Sequence, residues 1–432
     1  MTRTLQSLAF AASIALICPH LPAADGVPLS RQEAEQLTLR NHPGITAADL
    51  LALASKQVVR ETRSARFPTI TANVTAVGTS GDNTRIAAGA LNNPLILERN
   101  AEGINLSQTI TDFGRTANLV SSSKLHSQAE AQNALATREQ ILRQVDTVYF
   151  ETLQAQSVVA VADQTVATRQ SIFEQANLMA SNGLRSGLDA SLAQVSLEEG
   201  KLFQADAGNE LQASFARLAA LLGERKIRNY QLADEPPPTN MPAPDADQLV
   251  QEALRNRPDL VRLRFEHDAA TKFARAEHEL HYPTISAVGS GGLIQNHDRQ
   301  LKANYAAAGV NLSLPIFDGL LFSAREKEAD LRARAADEKL REVENDVISD
   351  VRVAALNYSN ALERLDLTGK LLDSANEAFD LAQARYRAGS SSFVELGQAQ
   401  LSKTEAEIAL ARAKYDLQMR IADLSYQTGR LR

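Results

Sequence analysis

The sequence predicts a mainly α-helical protein with a small β part, written twice along one chain. Three observations predict it. "RFPTI" (66–70) and "HYPTI" (281–285) nearly repeat each other, and at one shared offset upstream Asn41-His42-Pro43 answers Asn256-Arg257-Pro258. Two long stretches, 115–181 and about 320–387, contain no proline. Directly after each "PTI", the apolar residues switch to a period of two. The echo continues downstream: Ser107 and Ser313, Gly183 and Gly389, Gln194 and Gln400, and Gly223 and Gly429 are all 206 residues apart. A tandem duplication of this kind is read as two copies of one structural unit.

The first 24 residues stand apart. Arg3 precedes an apolar run, "LAFAASIALI" (8–17), too short to span a bilayer, and "LPAAD" (21–25) offers small residues for cleavage after Ala24. They read as a secretory signal. It contains Cys18, the chain's single cysteine, so the exported chain is thiol-free, as suits an oxidising compartment. A lipidated Cys18 is the rival reading, against which Ile17 is a poor neighbour. After the leader, repeat 1 spans 25–223, a proline-rich linker 224–245 ("DEPPPTNMPAP" within it), and repeat 2 246–429.

Each repeat opens with a helix, over about 30–65 and about 246–280. Strands follow. In "TITANVTAV" (69–77), Ile70, Ala72, Val74 and Ala76 alternate with Thr69, Thr71, Asn73 and Thr75. "INLSQTIT" (104–111) does the same with Ile104, Leu106 and Ile110. The second copy is softer, with Ile285, Ala287 and Leu293 in one strand and Val310, Leu312 and Leu314 in the other. Such alternation marks strands with one apolar and one polar face. Strands of about ten residues joined by polar loops (80–100 and 296–303) fit a transmembrane barrel or a soluble antiparallel sheet.

A long helix comes next. From Ile141 through Val145, Val148, Thr152, Ala155, Val159, Ala162, Val166, Arg169 and Phe173 to Ala176, the steps are threes and fours, a heptad seam of small residues. A helix over 115–181 reaches about 100 Å. Asn182-Gly183 and Ala388-Gly389 then turn the chain into shorter return helices that end at Gly223 and Gly429. Two repeats supply four strands, too few for a spanning barrel, and an open sheet leaves backbone groups unpaired in lipid. A membrane sheet of this kind must be shared between chains.

Composition excludes other classes. With a net charge of −7, the chain lacks the surplus of Lys and Arg that phosphate binding needs, so nucleic acid is not a partner. Aromatics are 5% and tryptophan is absent, poor material for large globular cores and a weak aromatic girdle. "DFG" (112–114) lacks the accompanying kinase elements, and Asp112 and Asp318 read as helix caps. "GSGG" (289–292) lacks the Lys-Ser/Thr of a phosphate loop. His278 and His281 lack an evident third ligand. No catalytic constellation, cofactor site or metal site emerges.

The duplicated "FPTI/YPTI" entry, the junctions "LSQTITDFG" and "LSLPIFDG", and the turn "RYRAGSSSFVEL" (385–396) together resemble the TolC-like outer membrane factor family over nearly the whole mature chain. The resemblance implies a homotrimer in the Gram-negative outer membrane. Twelve strands form one shared β-barrel in its lipid, and the helices form an α-helical tunnel through the periplasm. It also implies a periplasmic adaptor and an inner-membrane transporter as partners, and no enzymatic activity. Export of small toxic compounds is the first expectation and type I protein secretion the alternative. A periplasmic coiled-coil adaptor or structural protein is the reading from a different class.

At the helical tip, Gly183 and Gly389 are expected to permit tight turns, with Leu184, Arg185, Ser390 and Ser391 facing the adaptor. Asp189 and Glu395, each six residues after its glycine, would bring six carboxylates around one axis in a trimer. The resemblance places a constriction there. Tyr386 is expected to donate its hydroxyl to Asp189 and favour closure. Repeat 1 departs from repeat 2 at this turn, carrying Met179 and Ala180 where repeat 2 has Arg385 and Tyr386.

Overall fold

The computed structural model describes residues 27–77, 86–88, 91–93, 99–228, 230–234, 245–294 and 302–431. The expected leader with Cys18, most of the proline-rich linker and most of both strand-joining loops lie outside these residues.

A short strand, β1 (Val27–Leu29), leads into α1 (Arg31–Asn41) and α2 (Pro43–Ser64). Ser30 and Glu33 start α1 as a capping box: the Ser30 hydroxyl accepts from the Glu33 amide, and the Glu33 carboxylate accepts from the Ser30 amide at 2.8 Å. The sequence reads as one helix over about 30–65, yet two form. Pro43 has no N–H and forces His42 into an extended conformation (φ −71°, ψ 119°), so His42 ends one helix and caps the next. Repeat 2 breaks identically before Pro258, at Arg257 (φ −62°, ψ 122°).

β2 (Thr69–Val77) follows, then a small ribbon, β3 (Ile86–Ala88) and β4 (Leu91–Asn93), inside what the sequence shows only as a polar loop. β5 (Arg99–Thr111) begins earlier than its alternation indicates. α3 (Arg115–Ser181) and α4 (Gly187–Leu221) form the first hairpin. β6 (Tyr230–Leu232) pairs in parallel with β1, a contact with no signal in the local sequence. Repeat 2 supplies α5 (Ala246–Asn256), α6 (Pro258–His278), β7 (Thr284–Ile294), β8 (Asn304–Ser313), α7 (Leu321–Arg387) and α8 (Phe393–Gln427).

The main sheet has the order β2-β5-β7-β8 and is antiparallel throughout. A register shift between Thr109 and Thr111 sets Ile110 in a bulge. Among the helices, α3 is central, packing against α2, α4, α6 and α8. Along its heptad seam Ile141, Val145, Thr152, Ala155, Ala162, Arg169 and Ala176 are buried, while Val148, Val159, Val166 and Phe173 are partly covered. Midway along the bundle, Tyr149, Phe150, Phe215, Leu218 and Tyr415 pack with Leu29 and Leu232 from the small ribbon. The Tyr149 hydroxyl, 2.9 Å from both the Leu29 and Ala233 carbonyls, ties that ribbon to α3.

Both return helices end on glycine with positive φ, Gly223 (72°) and Gly429 (69°). A Cβ at Gly223 would lie 2.7 Å from the Asn41 carbonyl oxygen, so this turn seats directly on the break between α1 and α2. Gly223→Ala therefore costs about 1–2 kcal/mol from the left-handed backbone alone, with the collision added. A lower thermal unfolding midpoint for Gly223→Ala, beside an unchanged or raised one for Gly208→Ala, is the expected result, since a Cβ at Gly208 meets nothing within 4 Å.

Asp146 of α3 is fully buried and lies 3.4 Å from Arg31. Burial, then the nearby Glu35 carboxylate, pushes its carboxyl up to about 7 against the pull of Arg31. A carboxyl that holds its proton more tightly when folded contributes stability at low pH and loses it as pH rises through the folded value. Asp146→Asn should accordingly stabilise the protein more at pH 8 than at pH 5. An equal shift of the unfolding midpoint at both pH values would refute this reading.

Candidate duct wall and tip

The register of the sheet sorts its side chains onto two faces. Ile70 pairs with Leu106 and Ala72 with Ile104; beyond them, Ala287 pairs with Val310 and Ile285 with Leu312. Because directly opposed residues share a face, these apolar side chains form one continuous surface across four strands. Ile70 (63% exposed), Val74 (79%) and Val310 (70%) have no cover within the chain. The other face joins Thr71 to Asn105 and Asn105 to Ser290, with Thr69, Ser107, Ser286 and Asn311 in neighbouring rows. Four separate alternations thus agree on one outward direction, apolar against lipid and polar against water. Val288 and Ile294 on the polar side depart from this pattern, as do Glu102, Gln108 and Asn304 on the apolar side, where they pair with Val74 and Leu293, Ala287, and Leu293 respectively.

At the helix side of the sheet each repeat turns from strand to helix through two successive left-handed residues. In repeat 1 these are Phe113 (φ 54°) and Gly114 (115°), and in repeat 2 Gly319 (68°) and Leu320 (70°). The glycine has changed places, so one non-glycine residue carries the strain in each copy. Asp112 and Asp318 hold the turns as expected. Asp112 accepts from the amides of Gly114 and Thr116 (3.3 and 2.7 Å), and Asp318 from those of Leu320 and Phe322 (3.0 and 2.7 Å). Phe67, Phe113, Tyr282 and Phe317 flank the four strand ends here and are exposed, with Phe113 and Tyr282 6.1 Å apart. Aromatics at this level mark a membrane–water boundary. Local composition shows only a weak girdle; strand pairing gathers these residues.

Just beyond, α6 and its terminal turn are fastened to both long helices. Glu277 accepts from Arg325 at 2.7 and 3.1 Å, and Glu279 from Asn118 at 2.7 Å. His278 and His281 lie 2.9 and 3.3 Å from the two oxygens of Glu326, whose carboxyl they lower by hydrogen bonding. The pair thus joins α6 to α7.

At the opposite end, Gly183 and Gly389 have φ of 71° and 79°, the tight turns the sequence indicates. Leu184 is 74% exposed, and Gly183, Gly389 and Ser390 are exposed as well. Arg185 and Ser391 behave differently. Ser391 is buried, and the Arg185 guanidinium turns inward, donating to the carbonyls of Tyr386 and Ser391 (both 3.1 Å) and lying 4.9 Å over the Tyr386 ring. Position 185 in repeat 1 corresponds to 391 in repeat 2, so an arginine of one copy locks the turn of the other.

The expected bond from Tyr386 to Asp189 is not formed within the chain. The Tyr386 hydroxyl is buried without a hydrogen-bond partner, because the ring packs on Phe393 and under Arg185. Burial, and secondarily the charge of Asp189, push the phenol up. Glu395 is engaged by Arg385 at 2.8 Å, whereas the equivalent of Arg385 beside Asp189 is Met179. Both acids sit in the first turns of return helices capped by Ser186 and Ser392, where the helix dipole favours them. Sequence reasoning missed the lock by Arg185, although the absence of arginine at 391 was a signal that position 185 had a private role.

The sequence pattern of the outer membrane efflux protein family matches residues 35–224 and 249–430. Outer membrane protein TolC of Vibrio cholerae is 24% identical over 399 residues, which are 90% of this chain and 88% of that protein. The cobalt-zinc-cadmium resistance protein CzcC of Cupriavidus metallidurans is 26% identical, over 90% of this chain and 87% of its own. Among solved structures, the outer-membrane channel OprN superposes with a TM-score of 0.82 at 21% identity, covering 92% of this chain and 89% of that one. The outer membrane protein VceC of Vibrio cholerae gives 0.79 at 16%, covering 92% and 96%. The expected mainly helical fold with a small β part is the observed one, and the adaptor reading falls. With the family pattern covering well over half of its length, the chain belongs to the outer membrane efflux proteins, channels of the outer membrane whose helices extend into the periplasm.

Proposed function

We propose that three copies of this chain close one barrel and one tunnel, through which small toxic compounds pass passively from a periplasmic adaptor and an inner-membrane transporter to the exterior. The observation that carries this is a sheet with one apolar face, one polar face and two free edges, β2 and β8. In hydrocarbon those edges must pair. Two copies would give eight strands, whose interior side chains fill; three leave a lumen. The duplication points the same way. α3 packs on α6, yet the corresponding contact between α7 and α2 has no comparable counterpart within one chain. Leu50, Leu51 and Val58 of α2 and Leu356, Leu367 and Leu371 of α7 stand exposed, ready for a neighbouring copy.

The repeat also supplies the register of the joint. Asn105 of β5 pairs with Ser290 of β7, and their counterparts in the other repeat are Asn311 of β8 and Thr75 of β2. Cysteines at Asn311 and Thr75 together should cross-link into dimers and trimers under mild oxidation, and neither alone should do so. A chain bearing both that stays monomeric in intact outer membranes would sink the trimeric barrel.

The tip is the proposed gate and docking end, with Asp189, Tyr386 and Glu395 at the constriction and Gly183, Leu184, Gly389 and Ser390 offered to the adaptor. Arg185 and Ser391 hold the turns in shape from within. Charge-assisted hydrogen bonds of the kind Arg185 makes contribute about 1.5–3 kcal/mol each. Arg185→Ala should raise single-channel conductance in planar bilayers, whereas Tyr386→Phe, which removes an unbonded hydroxyl, should change it little. The reverse order would return the gate to Tyr386. Cargo is tested separately: a deletion strain that gains sensitivity to small toxicants while still secreting its proteins supports efflux over type I secretion.

A further inference from the structure

The polar face of the sheet carries one aromatic side chain, and its setting is unusual. Tyr305 of β8 pairs with Gly292 of β7, Gly292 with Gly103 of β5, and Gly103 with Asn73 of β2. These four residues form one row across the sheet. A Cβ at Gly292 would lie 2.9 Å from the Tyr305 hydroxyl oxygen, and one at Gly103 would overlap that oxygen. The phenol therefore does not project from the wall. It reaches across β7 to β5 and takes the space that a side chain at Gly103 would need, while at Gly292 a Cβ would also collide with the Glu102 carbonyl oxygen.

Glycines in adjacent strands weaken a sheet unless something packs on their exposed backbone, and an aromatic ring laid over them does so. The hydroxyl end of the ring lies over Gly103 and Gly292, and Tyr305 remains 40% exposed, so part of the ring is open to the space beside the wall. Its neighbours on this face are Asn73, Asn105, Ser290 and Ala307. No charged residue stands on this face over 69–76, 101–109, 284–293 or 305–313. The pair of Val77 and Arg99 lies on the same face two rows along; nearer the ring the lining is uncharged, and there the π-face is the main electrostatic feature. It attracts cations and stacks with flat rings.

We propose that Tyr305, its hydroxyl end lying over Gly292 and Gly103, is a cargo-contact site in the barrel lumen, three copies of which hold organic solutes that are both aromatic and cationic. The proposal rests on the trimeric channel reading, since it takes the polar face to line the lumen. It assigns the barrel a weak chemical preference that its hydroxyl and amide lining does not supply.

The test is block of trimers in planar bilayers by benzyltrimethylammonium added to the barrel side, with tetramethylammonium as the comparator. The aromatic cation should block at lower concentration. Tyr305→Ala should weaken that block by about fivefold or more, the scale of a cation–π contact, and Tyr305→Phe should retain it. Equal block of wild type and Tyr305→Ala would overturn the site, as would a Phe variant that behaves like Ala, because recognition would then belong to the hydroxyl. A separate arm isolates the reading beneath it. Asn105→Cys modified by a charged methanethiosulfonate should lower conductance; without that effect the polar face does not line a conducting lumen, and the channel reading fails first.

Discussion

Everything above the helices depends on the saturation of backbone hydrogen bonds at two sheet edges. Within one chain β5 and β7 have partners on both sides, while β2 and β8 each have one. Water could satisfy the remaining groups, but the apolar face that runs from Ile70 to Leu312 takes the sheet out of water. The two demands are incompatible in a monomer. In the proposed assembly, sharing the sheet among copies satisfies both, with the joint between repeats inside a chain as the template for the joint between chains. The same holds for the helices, where α3 already has on either side the neighbours that α7 lacks.

The junction between sheet and bundle shows how duplicated sequence preserves geometry while changing residues. Asp112 and Asp318 keep their place because a side-chain acceptor is needed for amides that the helix start leaves unpaired. The glycine beside them moves by one position, since either of two left-handed residues can take it. The tip shows the opposite outcome. There the copies have diverged into complementary roles, with Arg185 from repeat 1 bonding the carbonyls of repeat 2. Arg385 neutralises Glu395 in repeat 2, while Asp189 stands beside Met179 in repeat 1. A trimer built from such chains alternates two kinds of turn around its axis.

Much of the architecture is legible in the residues because its periods are local. The limits of α3 follow from Gly114 and Asn182-Gly183, and β2 from the alternation after Pro68. The breaks at His42 and Arg257 were missed, because helical composition on both sides hides them even though a proline restricts its predecessor. Strand faces, cap acids and turn glycines belong to the legible class: each is decided within a few residues by sterics or by one hydrogen bond.

What the sequence by itself determined is therefore the repeat unit, its helix and strand periods and its turns. Tertiary structure alone decided which residues meet across distances no local rule spans. It paired β1 with β6, drew Phe67, Phe113, Tyr282 and Phe317 to one level, laid Tyr305 over Gly292 and Gly103, and turned Arg185 inward so that Tyr386 lost Asp189 as a partner. The reason is physical. A hydroxyl or guanidinium reaches whichever acceptor packing leaves within about 3 Å, and that choice depends on helix rotation and strand register, which spacing in the chain does not record.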